Sequence, residues 1–131
     1  MDNIVESGVI GHDGKLRLPM DRVNAEFSKH KGCRVVARFE FYAAGSTEAQ
    51  QGYYYGYVVP AIRAGLLELG ERKSEQATDE FLVREYQSAG GPLGPEQARQ
   101  FDKQQITEFL EWLKQYAAEN LAVYVEDPRT I

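Results

Sequence analysis

The chain is poor in almost everything that marks a catalytic or metal-binding centre. Its 131 residues include one cysteine, Cys33, and two histidines, His12 and His30. A lone cysteine closes no internal disulfide, and Met1-Asp2-Asn3-Ile4-Val5-Glu6 has neither the basic flank nor the apolar stretch of a secretory leader. Both features fit a reducing, cytoplasmic setting. Two histidines with no neighbouring Cys/His/Asp spacing do not complete a structural zinc site. Cys33 follows Gly32 with no base in view, which reads as a small apolar side chain rather than a nucleophile. Gly11-His12-Asp13-Gly14 and Gly90-Gly91-Pro92-Leu93-Gly94 lack the strand, glycine, lysine and helix order that cradles phosphate. No apolar run approaches the roughly 18 residues of a membrane span, so no membrane partner is expected. These absences favour a binding protein over an enzyme, with no cofactor.

Positive net charge is also missing. At −5 the chain is not one that coats nucleic acid by bulk electrostatics, because phosphate neutralisation needs a positive surface. The imbalance is uneven. Residues 1 to 43 hold seven Lys/Arg against six Asp/Glu, and residues 44 to 131 hold eight against fourteen. Between Lys29 and Arg38 the cations Lys29, Lys31, Arg34 and Arg38 occur with no acidic residue among them. Such a strip protects an exposed strand edge from stray pairing, or it contacts phosphates. The carboxylates are scattered along helical segments as on solvated faces; Glu108, Glu111 and Glu119 join a cation site only if the fold brings others near.

The length suits one domain of residues 1–131 with a single core. Val9-Ile10 and Lys15 to Leu18 flank Asp13-Gly14, which predicts a hairpin. Met20, Val23 and Phe27 recur at helical spacing before Gly32, a terminator. From Arg34 to Tyr42 the period changes to two: Val35, Ala37, Phe39 and Phe41 share one face, Val36, Arg38, Glu40 and Tyr42 the other. That alternation predicts a half-buried strand. Ser46 or Thr47 caps a long helix whose stripe runs Tyr54, Val58, Ala61, Ile62, Gly65, Leu66, Leu69, interrupted by Pro60, which predicts a bend. Glu75 to Tyr86 is a second helix capped by Ser74, with Ala77, Phe81, Leu82 and Tyr86 inward. Asp102 and Gln105 open the last, striped by Ile106, Phe109, Leu110, Leu113, Tyr116, Ala117 and Leu121. The turn-rich loop from Ser88 to Pro95 is expected to be the least ordered part. The fold class is therefore α+β: a small antiparallel β-sheet packed with a helical part of three main helices. Residues 1–43 form hairpin, short helix and strand, 47–120 the helical part, and 121–131 an extended tail.

Tyr53, Tyr54, Tyr55 and Tyr57 crowd the head of the long helix. Successive helical residues spread around the axis, so these four rings cannot all face one core. One or two are expected at an interface or a base-stacking surface. Trp112, off the stripe of its helix, raises the same question and points toward a homodimer.

The order basic helix, Gly32, strand, then Ser46-Thr47-Glu48-Ala49-Gln50-Gln51-Gly52-Tyr53-Tyr54-Tyr55-Gly56, resembles the phage NinB, or lambda Orf, group of recombination proteins. There a strand is followed by Arg-Ser, two residues, Gln-Asn and an aromatic that begins a long helix. Ser46, Thr47, Gln50, Gln51 and Tyr55 stand at those positions. Ile106 to Trp112 and Tyr124-Val125-Glu126-Asp127-Pro128 are similar to the C-terminal end of such proteins. The resemblance implies a homodimeric, non-catalytic mediator that binds single-stranded DNA and works with a single-strand-binding protein or a recombinase. On that reading Lys29, Lys31, Arg34 and Arg38 neutralise phosphates, Tyr42, Tyr53 and Tyr55 stack bases, and Gln50 joins the site. Two other readings stand beside it. One is an acidic protein-interaction adaptor that never touches DNA, the other an acid-assisted, metal-dependent nuclease.

Overall fold

The computed structural model describes residues 3–131. A short antiparallel hairpin, β1 (Val9–Ile10) and β2 (Leu16–Arg17), pairs Val9 with Arg17 and Ile10 with Leu16. Gly14, at φ 78°, closes the turn, and the Asp13 carboxylate accepts the backbone N–H of Lys15 at 3.0 Å. The rest is mainly helical: α1 (Met20–Phe27), α2 (Thr47–Tyr53), α3 (Val59–Glu68), α4 (Glu75–Ser88) and α5 (Lys103–Tyr116). This is a small α+β fold.

Local chemistry starts three of the helices, α2, α4 and α5, where the side chains promise it. The Ser46 hydroxyl accepts the N–H of Ala49, and that of Ser74 the N–H of Ala77, each at 3.1 Å. Asp102 and Gln105 exchange side-chain and backbone bonds in a reciprocal cap. Helices α2 and α3 form one continuous rod through a wide π turn at Tyr54–Val58. Near Pro60, where a bend is expected, the helix widens: Val59 bonds back to the Tyr54 carbonyl, and proline, which has no N–H to offer, follows in the first turn of α3.

That rod is the axis of the molecule. Tyr54, Val58, Ile62 and Leu66 pack against Leu82, Val83 and Tyr86 of α4 and Ile106, Phe109 and Leu113 of α5. The hairpin closes another side, and here glycine is required. A Cβ on Gly52 would lie 2.1 Å from the Gly8 carbonyl oxygen, and one on Gly56 would lie 2.5 Å from that of Arg17. Four residues apart on one helix face, the two glycines let the backbone of the N-terminal segment lie directly on the rod.

With the axis enclosed on several sides, the tyrosines have nowhere to be exposed. Tyr53, Tyr54 and Tyr55 are all buried, and Tyr57 is half-buried against the core. The expectation that one or two of these rings reach the surface is corrected: helical spread does send them in different directions, but each direction is covered. Trp112 is also accounted for internally, stacked on Tyr116 at 4.7 Å and lying 5.1 Å from Tyr86.

The second correction concerns the predicted strand. Residues 33–43 have no regular secondary structure, and the sheet consists of the hairpin alone. Period-two alternation is present, but a strand needs an edge to bond to, and β1 and β2 are too short to provide one. Among the described residues, no backbone N–H or carbonyl from 34 to 42 is hydrogen-bonded.

Candidate nucleic-acid interface

From 31 to 45 every residue is exposed. This segment, the arm, lies between two turns. One follows α1 and the 3-10 turn Ser28–His30, where Cys33 N–H donates to the His30 carbonyl at 3.0 Å. The other precedes α2, where Ser46 N–H donates to the Ala43 carbonyl at 3.1 Å. Each contains a glycine with left-handed backbone, Gly32 at φ 81° and Gly45 at φ 83°, a conformation that costs glycine little and other residues more.

The arm collects most of the expected cations. Lys31, Arg34 and Arg38 are exposed and make no ion pair or side-chain hydrogen bond among the described residues. Lys29, just before the arm, is held by Glu26 at 3.1 Å. Tyr42 is 54% exposed, and its hydroxyl donates to Glu40 at 3.0 Å. The proximity of Glu40 raises the Tyr42 pKa. The arm also displays apolar side chains that were expected in a core: Val35, Val36, Phe39 and Phe41 are 75%, 77%, 63% and 80% exposed.

Gln50, Tyr53 and Tyr55 are not on this surface. The Gln50 amide donates to the Thr107 hydroxyl at 2.8 Å, bridging α2 to α5, and its buried oxygen has no partner among the described residues. The Tyr53 hydroxyl donates to the Glu126 carbonyl, and the ring stacks on Tyr57. Burial pushes the phenol pKa of Tyr53 and of Tyr55 far up. A stacking role for Tyr53 and Tyr55 is therefore corrected to a structural one. The basic strip and the tyrosine head do not form a common groove.

What the tyrosines do instead is surround a carboxylate. Asp79 of α4, 1% exposed, accepts the Tyr54 hydroxyl at Oδ1 and the Tyr55 hydroxyl at Oδ2, both at 2.8 Å, and the N–H of Ala98 at 3.2 Å. Tyr55 Oη in turn accepts the N–H of Arg99 at 2.8 Å, and the Arg99 guanidinium lies over the Tyr55 ring. Gln51 ties the same loop down by donating to the Ala98 carbonyl at 2.8 Å. Burial raises the Asp79 pKa, opposed by bonds from the two tyrosines, Ala98 and the charge of Arg99. One turn earlier Glu75 accepts the N–H groups of Asp21 and Arg22 at 3.3 and 3.4 Å, capping α1 from a distance. Its pKa is also raised, chiefly by burial.

Glu75, Asp79, Arg22 and Arg99 line a cleft of about 160 Å³ with Tyr55 and Gln97. That is below the ~300 Å³ at which small-molecule sites begin. Both Asp79 oxygens are engaged, Oδ1 by two donors and Oδ2 by one, so the carboxylate ties the tyrosine turn, α4 and the segment at Ala98 together. Neither acid was legible as buried. The signal was the spacing 75, 78, 79, 82, 83, 86, one helical face with a polar first half.

Among the described residues no group of three or more His, Cys, Asp or Glu is arranged to hold a metal ion, and no helix is long and apolar enough to cross a membrane. No protein-family model, curated protein or solved structure matches the chain.

Proposed function

We propose that the protein is a non-catalytic binding protein that engages single-stranded DNA through its arm. The supporting observation is the exposure of residues 31–45 with Lys31, Arg34 and Arg38 uncompensated, on a chain whose other surface is acidic. Arg34, Arg38 and Tyr42 share the even-numbered side of the alternation with Glu40, so two cations and one ring follow a common line with a single carboxylate among them. Cations spaced along an exposed, unbonded backbone with an adjacent ring suit a polynucleotide of any sequence, each base having a face to stack and each nucleotide a phosphate. The resemblance to the NinB group adds a setting, phage-type recombination, in which such a protein assists a recombinase alongside a single-strand-binding protein.

A fluorescence titration with a labelled single-stranded oligonucleotide at several salt concentrations tests the reading. Three phosphate contacts, from Lys31, Arg34 and Arg38, predict a slope of log K against log salt of about −2, and Lys31→Glu with Arg34→Glu lowers its size by about two thirds. Absent binding, or binding indifferent to salt, rejects it.

The exposed Val35, Val36, Phe39 and Phe41 favour a second reading, a protein-interaction adaptor whose arm adds as a strand to a partner. Under it, Lys31→Glu with Arg34→Glu leaves activity intact.

A further inference from the structure

The arm has the side-chain pattern of a strand, unbonded backbone, and large apolar groups in water. Unpaired edges with this composition are templates for another strand. We propose that the missing edge is the arm of a second copy of this chain, paired antiparallel about a two-fold axis at Phe39. The proposal is independent of DNA binding.

The argument is register. Placing the axis at Phe39 sets residue numbers summing to 78 opposite one another. Arg38 then faces Glu40 of the other copy, twice by symmetry. Ala37 faces Phe41, a small residue against a large one; Val36 faces Tyr42, and Phe39 faces its own counterpart. Cross-strand opposite charges and aromatic with β-branched pairs are the favourable contacts of antiparallel sheets. Neighbouring registers fail by the same rule. An axis at Arg38 sets guanidinium on guanidinium, and one at Glu40 sets carboxylate on carboxylate. An axis at Ala37 gains Arg34 opposite Glu40 but faces Val36 with Arg38.

Long-range charge agrees with the antiparallel sense. It sends the basic Lys29 to Arg34 end of each arm toward the end of the partner arm, where Glu48 lies in the first turn of α2. A parallel pair would superpose the two basic ends. In the resulting ribbon Val35, Ala37, Phe39 and Phe41 of both copies share one face, and Arg34, Arg38 and Tyr42 remain on the other.

Sedimentation equilibrium on the full chain, without DNA, gives the mass. The expected result is a species of twice 14.8 kDa. Arg38→Glu alone and Glu40→Arg alone each raise the dimer dissociation constant roughly tenfold, since two attractive pairs become repulsive. The double variant restores the original value. Mild oxidation provides a second reading in a Cys33→Ser background: Phe39→Cys forms a covalent dimer readily, whereas Val35→Cys does not, its partner in this register being Ala43. A monomer whose Phe39→Cys variant stays uncrosslinked overturns the proposal, and so does an arm protected from hydrogen exchange in a monomer, which would mean that the body of the same chain covers it. Rescue of Glu40→Arg by Arg34→Glu, with self-crosslinking of Ala37→Cys, overturns the register. Oligonucleotide titration of the same variants keeps a failure here separate from a failure of the DNA reading.

Discussion

Replacing Asp79 by alanine tests whether the tyrosine cluster is held by its carboxylate. The substitution removes the acceptor for two phenols and one backbone N–H. Tyr54 and Ala98 have no solvent exposure, so their donors lose a partner with no water in reach, at ~1–3 kcal/mol each. Tyr55 borders the cleft and Asp79 lines it, so water replaces part of the third bond and its loss is counted near zero. Relief of burying a carboxylate offsets about 1 kcal/mol. The sum is a loss of about 3 kcal/mol, a large share of the ~5–15 kcal/mol that holds an ordinary domain together. Urea denaturation followed by the fluorescence of Trp112, the single tryptophan, measures it. Tyr54→Phe leaves Asp79 with two donors, and the expected loss is about 1 kcal/mol. An Asp79→Ala protein within about 1 kcal/mol of the parent, or a Tyr54→Phe protein as unstable as Asp79→Ala, refutes the reasoning.

The pH dependence of stability has a definite sign. Because burial raises the Asp79 pKa, the folded state binds this proton more tightly than the unfolded chain, so the stability it contributes is fully present below the unfolded value of about 4 and is lost as pH rises through the folded pKa. The stability difference between the parent and Asp79→Asn should therefore be larger at pH 4 than at pH 7, as read by urea titration; a difference that grows with pH would mean that the hydrogen bonds outweigh burial. Gly52→Ala opposes two effects, a helix-propensity gain of ~1 kcal/mol and a Cβ inside the Gly8 carbonyl contact, where overpacking costs ~1–3 kcal/mol. The contact involves backbone on both sides and cannot yield cheaply, so a net loss is expected by thermal melting; equal or higher stability would show that the hairpin does not rest on the rod. Arg99→Ala, which keeps the backbone bond to Tyr55 and removes an exposed guanidinium from over the Tyr55 ring, should cost less than about 1 kcal/mol in the same assay.

Features governed by near neighbours in the chain were legible. Asp13-Gly14 gave the hairpin, Ser46, Ser74 and Asp102 with Gln105 gave three helix starts, and the Ile106, Phe109, Leu113 stripe gave the last helix its inner face. Features that need a distant partner were not. Asp79 looked like one more solvated carboxylate because the groups that justify its burial come from residues 54, 55 and 98. The tyrosines looked too widely spread to be enclosed, since the number of elements surrounding their helix is a tertiary fact. For residues 34–42 the pattern of a strand was readable, but the edge it bonds to is not supplied within the described chain. Of the candidate site, Lys31, Arg34, Arg38 and Tyr42 are exposed and Lys29 is paired with Glu26, while Gln50, Tyr53 and Tyr55 serve the interior.

The alternation of Arg38 and Glu40 along the arm also limits how large an assembly can grow. Parallel in-register stacking, the arrangement from which fibrils extend, would place arginine on arginine and glutamate on glutamate at every layer. Such repulsion would oppose endless stacking of the Val35 to Phe41 stretch, and the proposed antiparallel pair, which sets arginine against glutamate, would escape it.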